Sequence, residues 1–207
     1  HPNSLLLDTG DTLQGNLYSK MFKEKDFGQL MAEIGYDAAA IGEHDFDKGP
    51  EGLSEFIKAS RFPFLAANID TSNSAFLQEM IYPYVVLDVG QLKVGLFGLT
   101  TKDASVLAKT GDDVVITDPQ EAAIKSVAHL KGKTDIIIAL SHLGISEDRN
   151  LAQSVPGIDI IIGGHSKSKI VKPILEKDPN GNNTYIVQAK NETRFLGKLV
   201  LNINKKD

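Results

Sequence analysis

Short apolar runs alternate along the chain with segments whose apolar residues recur at helical spacing. The runs predict strands, and the spaced segments predict helices. The predicted strands, written with the loops that follow some of them, are NSLLLDTGD, YDAAAIGEHDFD, FPFLAANI, YPYVVLDVGQLKVGLFGLTT (two strands joined by a turn at Asp88–Gln91), TDIIIALSHLG, GIDIIIGGHS, TYIVQAK and LGKLVLNI. The predicted helices are 14–35, 49–60 and 118–132.

Two of the runs, DIIIALS at 135–141 and IDIIIGG at 158–164, are apolar almost throughout. Strands with this pattern are buried on both faces, because other layers cover both sides of their sheet. Their alternation with helices predicts an α/β fold. The sequence shows no repeat, low-complexity segment or linker, so we expect a single domain over residues 1–207.

Composition and charge narrow the function classes. The chain has 207 residues and a net charge of −5 with no basic run, which argues against binding to a nucleic-acid duplex. No apolar stretch is long enough to span a membrane. Cysteine is absent, so disulfides, thiolate zinc sites and cysteine nucleophiles are excluded. Absence of cysteine fits an exported protein, and we expect an extracytoplasmic location.

Four polar loops follow apolar strands, and we call them the site loops. They are DTGD (8–11), GEHDFD (42–47), SHLG (141–144) and GGHSKS (163–168). In α/β sheets, sites assemble at the carboxyl ends of the strands. Three of the five histidines fall in these loops, whereas a single histidine would more often be a satisfied polar residue.

The site loops predict a metal site. Asp11, Glu43, His142 and His165 offer carboxylate oxygens and imidazole nitrogens, a set that suits zinc, manganese or iron. For Asp8 and Asp11, the competing interpretation is a role in turns and helix capping.

The motifs LLLDTGDTLQGN, IGEHDFDKG, SHLG and GGHS, in this order, resemble the metallophosphatase domain of the 5′-nucleotidase family, within the calcineurin-like phosphoesterases. The resemblance covers essentially the whole chain. It implies a four-layer α/β/β/α sandwich that holds two metal ions. By the family pattern, Asp11 matches a carboxylate bridging the metals, and His142 and His165 match ligands of the second metal. His44 matches the catalytic histidine, which is not a ligand.

Three departures from the family pattern concern the metals. The Asp-x-His motif, which lies upstream in the family, is absent, and the chain opens almost inside a strand, as expected of a trimmed start. Glu43 stands where the family has Asn, and Lys167 stands where it has His, Gln or Asn. These departures predict one metal at most, with Glu43 as an added ligand and the Lys167 ammonium replacing the first metal. The alternative is that Glu43 and Lys167 are solvent-facing drift.

The resemblance implies a hydrolase of the 5′-nucleotidase type, acting on a nucleotide or a related phosphomonoester or cyclic phosphodiester, with a part in nucleotide catabolism. We expect impaired activity, because loss of one metal removes several kcal/mol of transition-state stabilisation. The base-stacking domain of the family is missing. The missing first strand predicts an open sheet edge, filled by another segment or chain. The alternative function is a non-catalytic binding or surface protein that retains the fold.

Overall fold

The computed structural model describes residues 3–13, 21–191 and 195–203. Its helices are α1 (Glu24–Ile34), α2 (Gly49–Ser60), α3 (Ala104–Leu107), α4 (Pro119–Leu130) and α5 (Ile145–Ser154), with a 3₁₀ turn at Glu43–Phe46. Its strands are β1 (Leu7–Asp8), β2 (Ala38–Ala40), β3 (Phe64–Leu65), β4 (Ile69–Asp70), β5 (Ile81–Tyr82), β6 (Tyr84–Val89), β7 (Leu92–Thr100), β8 (Val115–Ile116), β9 (Ile136–His142), β10 (Ile160–Gly163), β11 (Ile174–Lys177) and β12 (Asn183–Val187). The fold is mixed α/β.

The strands form two main sheets. The first has the order β1-β2-β3-β5 and its paired strands are parallel. The second has the order β11-β12-β10-β9-β7-β6, parallel at its centre and antiparallel at both ends. In its centre, Ser141 of β9 lies opposite Gly163 of β10. This register brings the two site loops that follow β9 and β10 to the same edge of the sheet.

Three apolar cores hold the sheets and helices together. One contains residues of both sheets: Ala38, Ala40 and Leu65 from the first, and Val94, Leu96, Ile136, Ile138, Leu140 and Ile160 from the second. A second core packs the six-stranded sheet against α4 and α5, and a third packs the four-stranded sheet against α1 and α2. All seven residues of β9 are buried, as the apolar run predicts.

Some predicted elements differ from the structure. The predicted strand LGKLVLNI has no regular secondary structure and joins no described sheet, and Leu196 and Val200 remain 81% and 67% exposed. A strand needs a partner for its backbone N–H and C=O groups, which an apolar pattern cannot supply. The pattern also missed α5 and β11. Residues 14–20 of the first predicted helix lie outside the described residues, and the helix is observed from Glu24 to Ile34.

The sequence predicts an open sheet edge where the missing first strand of the family would lie, and β1 is the edge strand to compare with this prediction. Within the part of the chain that the structure describes, β1 pairs only with β2, so its other side carries no partner strand. The segment or chain that would occupy this edge stays a prediction. Among the described residues, no helix is both long and apolar enough to cross a membrane.

Candidate metal centre

The site loops meet at one place, and side chains from all four converge there. His142 Nε2 lies 3.2 Å from Asp11 Oδ2 and 3.0 Å from Glu43 Oε2. His165 Nδ1 lies 2.9 Å from Glu43 Oε1, and the two imidazole rings are 5.4 Å apart between centroids. The structure therefore brings together the four residues that the sequence proposes as ligands. Their role as ligands stays a prediction.

Close backbone packing makes this convergence possible. A Cβ added to Gly42 would lie 2.2 Å from Asp11 Oδ1, and one added to Gly10 would lie 2.4 Å from the Gly42 nitrogen. A Cβ on Gly164 would lie 2.9 Å from His142 Nδ1. The site loops leave no room for side chains at these positions, so glycine sets how closely the ligand-bearing backbones approach.

Two overlapping sets of side chains have ligand atoms within 4.8 Å of one another: Glu43 with His142 and His165, and Asp11 with Glu43 and His44. Both sets mix carboxylate oxygen with imidazole nitrogen, which suits zinc and other first-row divalent ions. Glu43 belongs to both. The family's divalent metal chemistry thus has a candidate site in which Glu43 is central.

Three buried polar atoms indicate that these residues fit a metal ion. Glu43 Oε2, His142 Nε2 and His165 Nδ1 are buried and form no hydrogen bond of acceptable geometry with any described group. His142 Nε2 and Glu43 Oε2 nevertheless lie 3.0 Å apart, and His165 Nδ1 lies 2.9 Å from the other oxygen of Glu43, Oε1. Buried polar atoms are nearly always hydrogen-bonded. A group of neighbouring buried atoms without hydrogen bonds therefore indicates that a further partner binds there. A divalent ion would satisfy all three atoms.

The far side of the His142 ring supports this interpretation. His142 Nδ1 contacts the carbonyl oxygen of Thr9, which can only accept, so Nδ1 carries the proton. The neutral ring then presents the lone pair of Nε2 towards Asp11 and Glu43. Metal-binding histidines commonly donate their second N–H to a carbonyl in this way, which fixes the ring and its tautomer.

Without a metal, protons can neutralise the site. Burial lowers the pKa of His142, but the carboxylates of Asp11 and Glu43 beside Nε2 outweigh this and raise the pKa to about 10. Glu43 raises the pKa of His165. Burial opposes ionisation of Glu43, yet His142 and His165 hold its pKa far below the usual range. Two imidazolium charges then balance the carboxylates of Asp11 and Glu43.

His44 lies at the open side of the site. Its side chain is 33% exposed, Nε2 lies 3.9 Å from Glu43 Oε1, and Nδ1 lies 3.2 Å from Asp47 Oδ1. The sequence pattern alone gave Asp47 no role. The signal was available, because residues three apart on one helical turn share a face. His44 and Asp47 together form a histidine–carboxylate pair beside the ligands.

Lys167 lies apart from this charge cluster. Its side chain is exposed, and it forms no ion pair with Asp11 or Glu43, both of which belong to the described chain. His142 and His165 occupy the positions next to the carboxylates instead. Replacement of a metal by the Lys167 ammonium therefore has no supporting contact and stays a prediction.

Three non-glycine residues of the site loops have left-handed backbone conformations. They are Asp11 (φ 64°), His165 (φ 60°) and Lys167 (φ 53°). Each such non-glycine residue costs of order 1–3 kcal/mol unless the surrounding structure holds it, and such residues concentrate at functional sites.

Comparison with known proteins agrees with the geometry. The model of the calcineurin-like phosphoesterase family matches residues 1–168. The chain belongs to the calcineurin-like phosphoesterases. Within this family its relatives are of the 5′-nucleotidase type. The phosphoesterase chain is 35% identical over 237 residues to the trifunctional nucleotide phosphoesterase YfkN of Bacillus subtilis, and 35% identical over 222 residues to the 5′-nucleotidase of Homo sapiens.

Solved structures show the same relationship. The crystal structure of a 5′-nucleotidase precursor from Thermus thermophilus superposes with a TM-score of 0.87 at 37% identity, covering 91% of this phosphoesterase chain and 40% of that one. The alignments with YfkN and the human enzyme each cover 99% of this chain, but only 16% and 39% of those proteins. This phosphoesterase chain thus spans less than half the length of these relatives.

Proposed function

We propose that this chain is the metal-binding part of a phosphoester hydrolase of the 5′-nucleotidase type, acting on a nucleotide or a related phosphomonoester or cyclic phosphodiester. The observation that carries the proposal is that Glu43, His142 and His165, which form one candidate ligand set, each have a buried polar atom without a hydrogen bond. The names of the relatives support the substrate class. The three apolar cores support the four-layer α/β/β/α order of the family.

The proposed ligand set is Asp11, Glu43, His142 and His165, and it would hold one divalent ion of zinc, manganese or iron. When bound, such an ion supplies Lewis-acid polarisation of a phosphoryl oxygen. Around it, Asp11 and Glu43 contribute negative charge from two different loops. Thr9 keeps the proton of His142 on Nδ1, so that Nε2 remains a ligand atom.

His44 is the catalytic residue that this chain supplies. Asp47 accepts from Nδ1, which leaves Nε2 free to face a substrate at the open side of the site. In the protonated ring, Nε2 donates a hydrogen bond to a phosphoryl or leaving oxygen, where negative charge develops. With one metal, we expect slow turnover.

The test is metal-dependent release of phosphate from AMP in the presence of Mn²⁺. The His142→Asn variant removes a proposed ligand, whereas His129→Asn changes an exposed histidine on α4 and serves as the control. We expect phosphate release in the wild type and the control, and none above background with His142→Asn. Equal release by all three proteins, or release without added metal, would contradict the proposal.

A specific observation favours a second candidate, a non-catalytic binding or surface protein. The two protonated imidazoles can neutralise Asp11 and Glu43 without any metal, so the site is also stable as a cluster of ion pairs. A wild-type protein that neither binds Mn²⁺ nor releases phosphate would favour this candidate. For either function we propose an extracytoplasmic location, supported by the absence of cysteine.

A further inference from the structure

Asp45 occupies an unusual position directly behind the metal centre. Its side chain is 1% exposed, and it contributes to neither set of candidate ligand atoms. Three backbone N–H groups donate to its carboxylate: those of Asp11 and Gly42 to Oδ2, at 2.9 Å each, and that of Leu13 to Oδ1, at 3.2 Å. Two of these donors belong to the loop of Asp11, and the third precedes Glu43.

A second hydrogen bond runs in the opposite direction. The backbone N–H of His44 donates to Asp11 Oδ1 at 2.9 Å. The carboxylate of Asp45 in one loop accepts from the backbone of the other loop, and the carboxylate of Asp11 accepts in the opposite direction. We call this reciprocal pair of contacts the clasp. Because Asp11 Oδ2 faces His142 while Oδ1 is held by His44, this clasp determines which oxygen points into the site.

The backbone of Asp11 needs such support. Its φ of 64° is left-handed, a conformation that an aspartate keeps only when its surroundings hold it. Asp45 accepts the N–H of this same residue. Among the described residues, no side chain other than Asp45 accepts from the backbone N–H of Asp11 or Gly42, so its carboxylate joins the β1 and β2 loops together with that of Asp11.

We propose that Asp45 is a positioning residue, which fixes Asp11 and Glu43 in the geometry that a divalent ion requires. Asp45 touches neither ion nor substrate and acts through the backbone of its neighbours. The inference rests on the proposed function where it concerns metal affinity. The hydrogen bonds that carry it belong to the metal-free protein and can be tested independently.

Asp178 provides a matched control. It is also buried, at 5% exposure, and its carboxylate accepts the backbone N–H groups of Gly157, Asn180 and Asn182. It lies in the turn between β11 and β12, and it belongs to neither candidate ligand set. Both aspartates are thus buried and accept three backbone N–H groups, and they differ in whether they support the site loops.

The first measurement is Mn²⁺ affinity, read from the electron paramagnetic resonance signal of free Mn²⁺. We expect Asp45→Asn to bind Mn²⁺ about 10- to 100-fold more weakly than the wild type, as is typical when a residue that supports metal ligands is lost. Asp178→Asn should bind within about twofold of the wild type, although both variants lose thermal stability through the same kind of lost hydrogen bonds. Equal affinity of Asp45→Asn and wild type overturns the proposal.

The second measurement is amide hydrogen exchange in chelator, without any metal. In the wild type, the backbone amides of Asp11, Gly42 and Leu13 should be protected from exchange. Asp45→Asn should accelerate their exchange. The amides of β9 serve as the reference, because their exchange should change only by the amount that the lower overall stability of the variant explains. If Asp45→Asn does not fold, the exchange rates of the wild type alone test the proposal. Unprotected amides at these three positions would show that the hydrogen bonds to Asp45 do not hold the two loops together, which overturns the proposal. If the wild type binds no Mn²⁺, the proposed function fails, whereas the exchange data still test Asp45.

Discussion

The charge balance of the metal-free site makes its stability fall as pH rises. Asp11 and Glu43 raise the pKa of His142 to about 10 in the folded protein, against 6.5 as its ordinary value. A group whose pKa is raised by folding stabilises the protein fully below the unfolded pKa, and this stabilisation is lost as pH rises through the folded pKa. For His142 the window therefore extends from about pH 6.5 to about pH 10.

The magnitude follows from the same pKa pair. Between pH 8 and pH 9.5 the folded chain retains a proton that the unfolded chain has lost, at about 1.4 kcal/mol per pH unit. Since His142 titrates near the top of this interval, its contribution falls by about 2 kcal/mol. The buried carboxyls of Asp45 and Asp148 have their pKa raised to about 7, so they add little above pH 8. The raised pKa of His165 acts in the same direction as that of His142.

The assay is urea unfolding at pH 8 and pH 9.5 in the presence of a chelator, followed by far-ultraviolet circular dichroism. Lysines and tyrosines also titrate in this range, so the relevant quantity is the difference between variants. We expect the wild type and His129→Asn to lose about 2 kcal/mol more than His142→Gln over this interval. An equal pH dependence of wild type and His142→Gln would refute the assignment of a proton to His142.

Three further predictions concern single side chains. Asp47→Asn should lower kcat about 10- to 100-fold with Mn²⁺ affinity unchanged, because Asp47 orients His44 but contributes to neither candidate ligand set; reduced affinity would contradict this. Gly42→Ala should destabilise the fold by at least about 1–3 kcal/mol in urea unfolding, since its Cβ would lie 2.2 Å from Asp11 Oδ1; an unchanged unfolding midpoint would contradict this. If the Lys167 ammonium excludes a metal, Lys167→Gln should raise the Mn²⁺ stoichiometry above one; an unchanged stoichiometry would show that this exposed side chain excludes nothing.

Local pattern was sufficient for much of the architecture. The apolar runs at 135–141 and 158–164 indicated strands buried on both faces, and β9 and β10 lie there with nearly complete burial. Polar loops after such strands also identified Asp11, Glu43, His142 and His165 as neighbours. This worked because strands in register place their carboxyl ends at one edge, so that sequence position after a strand predicts spatial position.

Other features depended on partners far away in the chain. The apolar pattern of 196–203 predicted a strand, but pairing needs a neighbouring strand, and the described sheets supply none. The same limit applies to Lys167. Its sequence position beside His165 suggested a place in the charge cluster, whereas the backbone there leaves its side chain exposed. A pattern identifies the type of residue and its spacing, while the direction of a side chain depends on the backbone turn.

By itself, the sequence determined which strands are buried, which loops carry the candidate ligands and which family the chain resembles, because these properties depend on short-range pattern and residue chemistry. Only the tertiary structure decided how the loops are joined. His142 is fixed by the carbonyl of Thr9, 133 positions earlier, and Asp45 accepts from Asp11, 34 positions earlier. Such hydrogen bonds require angstrom-scale placement of separate strands, which is set by the register of both sheets and by the packing between them.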